Sequence, residues 1–326
     1  MKSRTLTMAL GVVSGVLGVA LAAILATVVD VTAAPFAWVP NEKSGTMSII
    51  DVATDTVVGE AQVGKRPRGT ASSVDGKFLY VSDQPANALQ IVDVATRKVT
   101  GKVELGESPE GVYRSPDGLW IAVAVEGDNS VHFISTVSGK REFQVKTQGT
   151  NPEHAVFSPD GKWVYVSAED AEDVDIIDVA ARKQVGTVKV GKRPRGIGFT
   201  PDGKLAYVAC EIANQVHVID TATRKVVAVI PAGLRSNGVA VHPGGKTVFI
   251  TNGGDGNVSV IDVASQKVTK TITVGQRPWN MAISPDGKKL YVANGRSNSV
   301  SVIDTGKLEK LTDIKVGDTP WGVFIP

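Results

Sequence analysis

The sequence predicts an all-β fold, a seven-bladed β-propeller with four-stranded blades. Three observations predict it. First, a hydrophobic-Asp-Val/Thr motif recurs, with its acid at Asp51, Asp93, Asp178, Asp220, Asp262 and Asp304 and with Ser135 in the third slot. The steps are 42, 42, 43, 42, 42 and 42 residues, so seven units repeat at one period. Second, every unit carries four short strand patterns and no helical periodicity, which is the content of a propeller blade. Third, the repeat opens in mid-unit and stops in mid-unit, in complementary phase.

The strands of the last full unit illustrate the pattern. They are expected at Trp279–Ile283, Leu290–Ala293 and Val300–Ile303, with a weaker fourth near Leu311–Val316. The first two are joined by Ser284-Pro285-Asp286-Gly287. The same Ser-Pro-Asp-Gly recurs at 115–118 and 158–161, with variants at 73–76, 200–203 and 242–245. Proline presets φ, aspartate accepts a local backbone hydrogen bond, and glycine takes the positive φ, so these are hairpin turns. The recurrent Asp of the motif precedes a second turn, as in Asp93-Val94-Ala95-Thr96, where its carboxylate closes an Asx-turn. That column is structural and not a row of catalytic acids.

The phase predicts closure. Ala37-Trp38-Val39-Pro40 matches the second strand of a unit, and Trp321-Gly322-Val323-Phe324-Ile325 matches the first. The C-terminal strand is therefore expected to complete the blade that the N-terminal strands begin, leaving no free sheet edge in the ring.

Residues 34–326 are assigned to the propeller and 1–33 to an export signal. Lys2 and Arg4 precede 25 uncharged residues, Thr5–Val29, and Val31-Thr32-Ala33 offers a small-residue cleavage site. The uncharged stretch is also long enough to serve as an uncleaved membrane anchor. Either way the propeller is expected outside the cytoplasm, periplasmic or secreted. The net charge of +2 excludes a general polyanion binder and disfavours nucleic acid as a partner. A single cysteine, Cys210, excludes an intrachain disulfide. It is expected as a strand-end residue.

Tyr291-Val292-Ala293-Asn294, Tyr80-Val81-Ser82-Asp83, Val260-Ile261-Asp262 and the Ser-Pro-Asp-Gly turns resemble the YVTN family of seven-bladed propeller repeats. Val190-Gly191-Lys192-Arg193-Pro194-Arg195-Gly196, Val274-Gly275-Gln276-Arg277-Pro278-Trp279 and Pro320-Trp321-Gly322-Val323 are most similar to the propellers associated with PQQ-dependent alcohol catabolism. The resemblance implies the fold. It also implies an accessory role beside a quinoprotein oxidation system, with a quinoprotein dehydrogenase or a cytochrome c as partner. Relatives of that family span a d1-haem-binding group, lactonase-like enzymes, surface-layer proteins and a DNA-binding propeller, so fold alone does not fix function.

The loops joining each outer strand to the next inner strand are expected to ring one mouth of the channel. Aligned, they give Arg66, Ser108, Asn151, Arg193, Arg235, Arg277 and Thr319 in one column. Two residues on stand Arg68, Glu110, Glu153, Arg195, Asn237, Trp279 and Trp321. The next column is glycine in five units, but His154 and Asn280 in the others. Loops between second and third strands add Glu42, Gln84, Glu126, Glu169, Glu211, Gly253 and Gly295 on the same face.

Six arginines (Arg66, Arg68, Arg193, Arg195, Arg235 and Arg277) with Trp279, Trp321 and His154 form the candidate ligand-binding set. Guanidinium forks suit carboxylate or phosphate, and indoles give a stacking surface. A planar polyanion such as PQQ fits both; so do a carboxylated tetrapyrrole, a phosphate group and an acidic peptide. Arg–Glu pairing between adjacent loops is the structural alternative. The enzyme alternative is a lactonase- or lyase-like site with His154 as base and Glu153 and Glu110 beside it. A surface-adhesion or DNA-binding propeller is the third. No metal-ligand spacing is present. The acidic run Glu169–Asp175 is expected as a solvated loop, and His132, His217 and His242 as structural residues.

Overall fold

The computed structural model describes residues 35–326. The export-signal expectation concerns residues 1–33 and lies outside them. Among the described residues no helix is long and apolar enough to cross a membrane.

Six four-stranded antiparallel sheets and one three-stranded sheet follow one another along the chain. Blade 1 contains β1 (Phe36–Asn41), β2 (Thr46–Asp51) and β3 (Thr56–Gln62). Its missing inner strand is supplied from the other end of the chain. Trp38 and Phe324 exchange backbone hydrogen bonds of 2.8 and 2.9 Å, and the Trp321 N–H donates to Pro40 O at 2.9 Å. The expected closure is therefore present: six blades continuous in sequence and one assembled from both ends.

Blade 2 runs β4 (Pro67–Ser72), β5 (Phe78–Asp83), β6 (Ala88–Asp93) and β7 (Lys98–Glu104), from the channel outward. Blade 3 begins with β8 (Pro109–Arg114), blade 4 with β12 (Pro152–Phe157), blade 5 with β16 (Pro194–Phe199), blade 6 with β20 (Ser236–Val241) and blade 7 with β24 (Pro278–Ile283). The hydrophobic core lies between blades. Ala71, Tyr80 and Leu89 of blade 2 pack on Val112, Ile121 and Val123 of blade 3. Ala37, Val39 and Ile50 of blade 1 pack on Tyr291, Val300 and Val302 of blade 7, which seals the ring.

The turns follow their chemistry. In Ser115-Pro116-Asp117-Gly118 the serine hydroxyl donates to Asp117 and accepts the Trp120 N–H at 2.9 Å, while Gly118 takes φ 74°. Asp93 Oδ1 accepts the Thr96 N–H at 2.7 Å, closing the expected Asx-turn. Cys210 ends its strand, buried.

One irregularity positions the site. In blades 2–7 the inner strand holds one residue more than its neighbour between paired positions. Pro67 pairs with Asp83 and Thr70 with Val81; the same shift lies between Pro109 and Val112, Pro152 and Ala155, Pro194 and Ile197, Ser236 and Val239, and Pro278 and Met281. Each is a β-bulge, which releases a residue from the ladder and re-aims its side chain. The column Arg68, Glu110, Glu153, Arg195, Asn237 and Trp279 sits in these bulges.

Candidate functional site

The two sets of loops share one face, as their backbone shows. The N–H that opens each second-to-third-strand turn donates to the carbonyl of the residue before the inner strand: Glu211 to Arg193 and Gly253 to Arg235 at 2.8 Å, Gly295 to Arg277 at 2.9 Å. That bond recurs in all seven blades. Arg193, Arg235 and Arg277 take φ of 57°, 56° and 54° there, a left-handed conformation that costs a side-chain-bearing residue roughly 1–2 kcal/mol. The shared hydrogen bond holds them in it.

All six arginines of the candidate set meet buried glutamates. Glu42 receives Arg66 and, at 3.2 Å, Arg68. Arg68 also bonds Glu110. Arg195 lies on Glu169 and is 3.1 Å from Glu153. Four guanidinium groups converge on Glu211: Arg277 at 2.9 Å, Arg235 at 3.3 Å, Arg193 at 3.4 Å and Arg195 at 3.9 Å. The Arg–Glu pairing weighed from the sequence is thus built. It is layered, with Glu211 1% exposed while the side chains of Arg193 and Arg235 are 41% and 57% exposed.

The pairing is uneven around the ring. Blades 5–7 contribute four arginines and one of these glutamates, Glu211. Blades 1–4 contribute two arginines, Arg66 and Arg68, and five glutamates, Glu42, Glu110, Glu126, Glu153 and Glu169. The mouth is positive on one side and negative on the other. Burial opposes ionisation of Glu211, but Arg195, Arg277 and Arg193 outweigh it and hold the carboxyl below its ordinary range. On the opposite side burial, and the neighbouring Glu153, push Glu110 up.

His154 occupies a glycine slot. At four of the glycine positions a Cβ would meet the neighbouring inner strand: at Gly69 it would lie 2.5 Å from Glu110 O, and at Gly238 2.4 Å from Trp279 O. The imidazole projects where the other strands only touch. Its Nδ1 is 2.6 Å from the Tyr113 hydroxyl. Its Nε2 has no hydrogen-bond partner and is 4.0 Å from Glu153 Oε1. Burial pushes its pKa down to about 4, so the ring is neutral near pH 7.

Trp321, on the inner strand of blade 1, reaches three blades across and stacks on His154, with centroids 5.8 Å apart. Trp279 stays in its own blade, under Gly295 and with the Arg277 guanidinium 5.8 Å from its ring centre. Below this layer a cavity of about 380 Å³ runs down the channel, lined by Arg68, Tyr113, Val112, Ile197, Met281 and Trp321, among others. Unmet hydrogen-bonding capacity collects at the mouth. Arg68 Nε, His154 Nε2, Arg195 Nε, Asn237 Nδ2 and Trp279 Nε1 are all buried without a hydrogen-bond partner.

Sequence columns missed Tyr113. The signal was present: its column otherwise holds Ala71, Val156, Gly198, Ala240, Ala282 and Phe324, so one hydroxyl stands alone among apolar residues. The acidic run is a correction. Glu169, Asp173 and Asp175 are buried, and only Asp170 and Glu172 are exposed. Glu169 pairs with Arg193 and Arg195, and Asp175 accepts the Gly149 N–H at 2.8 Å. His132, His217 and His242 make no ion pair with the arginines and glutamates of the mouth. His132 bonds Asp128 at 3.2 Å and His242 bonds the Gly287 carbonyl at 3.0 Å.

A family model described as "Lactonase, 7-bladed beta-propeller" matches residues 178–324, less than half of the chain. No curated protein matches. Among solved structures, hydrazine synthase of Kuenenia stuttgartiensis is similar at 26% identity and TM-score 0.75, over 82% of this chain and 92% of that one. A candidate 6-phosphogluconolactonase of Bacteroides fragilis gives 21% identity and TM-score 0.76, over 90% and 98%. One of Bacteroides uniformis gives 20% and 0.77, over 90% and 99%. The last two likenesses are of fold. The chain is a seven-bladed β-propeller whose second half is similar to the lactonase family of such propellers.

Proposed function

We propose that the channel mouth binds a small ligand bearing carboxylate or phosphate groups, and that the chain is an exported binding propeller. The observation that carries this is the convergence of four arginines on Glu211. Glu211, with Glu169 and Glu153 that Arg193 and Arg195 also meet, cannot use all the donors of four guanidinium groups, and Arg193 and Arg235 are half-exposed. An incoming anion takes the surplus donors, against a buried glutamate that holds the forks in place. Trp279 offers a ring beside them, so a flat polycarboxylate such as PQQ suits the site, and a quinoprotein oxidation system suits an exported protein of this kind. A sugar phosphate also suits it, and the names of the Bacteroides proteins point to that class.

The test is a tryptophan-fluorescence titration with PQQ and, separately, with 6-phosphogluconate. A saturable change with one of them, weakened in Arg193→Ala and Arg235→Ala, supports the proposal. A flat response to both contradicts it.

A second reading is lactone hydrolysis, favoured by the free Nε2 of neutral His154 beside Glu153 and by the family match over residues 178–324. In that reading His154 takes a proton from water while the arginines hold the anionic end of the substrate. His154 is 1% exposed beneath Trp321, so the indole must swing aside first. Hydrolysis of 6-phosphogluconolactone or another lactone, lost in His154→Ala, would select it. No turnover across a lactone panel would remove it and leave the binding proposal standing.

A further inference from the structure

The mouth gathers three carboxylates that the arginine ring does not fully absorb. Glu110, Glu126 and Glu153 each place an oxygen within 4.8 Å of the others. Glu110 and Glu153 are buried, and Glu126 is half-buried. Arg68 bonds Glu110, and Arg195 is 3.1 Å from Glu153. Glu126 has no ion-pair partner among the described residues; its carboxylate accepts only the Ser108 hydroxyl, at 2.6 Å. Three carboxyl groups therefore meet, and one of them has no cationic partner among the described residues.

A second observation points into the same place. His154 Nε2 is buried without a hydrogen-bond partner, 4.0 Å from Glu153 Oε1, the oxygen that Arg195 Nη2 approaches at 3.1 Å. Tyr113 holds the other ring nitrogen, so it is Nε2 that faces Glu153. Buried side-chain polar atoms without partners are uncommon in native proteins and call for an explanation such as an ion, a water molecule, strain or a catalytic role.

We infer that a hard divalent cation of the Ca²⁺ or Mn²⁺ class binds between Glu110, Glu126 and Glu153, bordered by His154. Carboxylate oxygens are the ligands such ions take. Oxygens bound to one such ion at about 2.4 Å lie no more than about 4.8 Å apart, and the three carboxylates meet that condition. A carboxylate has roughly four lone-pair sites; Glu110 already takes Arg68 on both oxygens, Gln84 and, at 3.4 Å, Ser108, so an ion would displace the weakest of these donors, whereas Glu126 takes one donor and has room for it. Glu110 and Glu126 belong to blade 3 and Glu153 to blade 4, so the ion would tie two blades together. The inference does not rest on the anion site of blades 5–7.

Isothermal titration of CaCl₂ and of MnCl₂ into EDTA-treated, dialysed protein tests it. The expected result is one site with Kd below about 1 mM for at least one ion, weakened at least about tenfold in Glu126→Gln. The metal-free Glu126→Gln protein should melt where the metal-free wild type does. If that variant is misfolded, Glu126→Asp, which keeps the charge on a shorter arm, should fold and bind with intermediate affinity. No binding of either ion at millimolar concentration would overturn the inference. So would wild-type affinity in the folded variant, because the ion would then sit elsewhere.

Discussion

Trp321 and His154 stack from inner strands three blades apart, with 25° between their ring planes. The indole closes the upper end of the channel cavity and covers the one imidazole at the mouth. Trp321 is 7% exposed, so Trp321→Ala should cost about 3–5 kcal/mol in denaturant unfolding, the range for a buried aromatic. The variant should also expose His154 to diethyl pyrocarbonate. Peptide mass spectrometry should show His154 modified rapidly in the variant and spared in the wild type. Equal rates would mean that the stack does not cover the imidazole.

Glu211 is the anchor of the positive sector. Glu211→Gln keeps the shape and removes the charge that four arginines share. Removing one partner of a fully buried pair costs about 3–5 kcal/mol; here two guanidinium groups are half-exposed, so about 2–3 kcal/mol is expected. A urea midpoint unchanged from wild type would show the pairing to be energetically idle.

Much of this was legible in the sequence because a propeller is a repeat. The 42-residue step put Arg66, Arg193, Arg235 and Arg277 in one column and Glu42, Glu169 and Glu211 in another, on one face. What the columns could not show is the direction of each side chain. The same arginines served equally as ligand donors or as partners of the glutamates, and bulge geometry with side-chain rotation made them both partners and a half-exposed layer. The stack of Trp321 on His154 was illegible for a different reason. It joins units at opposite sides of the ring, and a period relates only equivalent positions. The acidic run read as solvated although its column had already set Glu169 beside the arginines; Asp173 and Asp175 were misjudged because a run of charges hides the strand, Asp173–Asp178, in which both are buried.

The inner strands pack too closely for side chains in the glycine column. In Gly238→Ala the new methyl would meet Trp279 O at 2.4 Å and push two inner strands apart. A loss of about 1–3 kcal/mol is expected, as for an overpacked core. Gly101→Ala is the contrast. Its Cβ would meet only the Ile91 side chain, at 3.7 Å, so stability should be unchanged or rise by about 0.4–1 kcal/mol. Thermal melts of the two variants check both signs.

Burial pushes the Cys210 thiol up to about 12. At pH 8 only roughly one thiol in ten thousand would then be ionised. Ellman's reagent should leave the native protein untouched on the scale of minutes and label one thiol per chain in guanidinium chloride. Rapid labelling of the native protein would place Cys210 at the surface instead.

The proposed ligand site at the mouth is centred on the arginines of blades 5–7. Crystals grown with PQQ or with 6-phosphogluconate test it most directly, through difference density at the channel mouth. An anionic group is expected within hydrogen-bonding distance of Arg193, Arg235 or Arg277, above Glu211 and beside Trp279. Clear maps at saturating ligand with nothing at the mouth, or with the ligand on the outer strands alone, would contradict it.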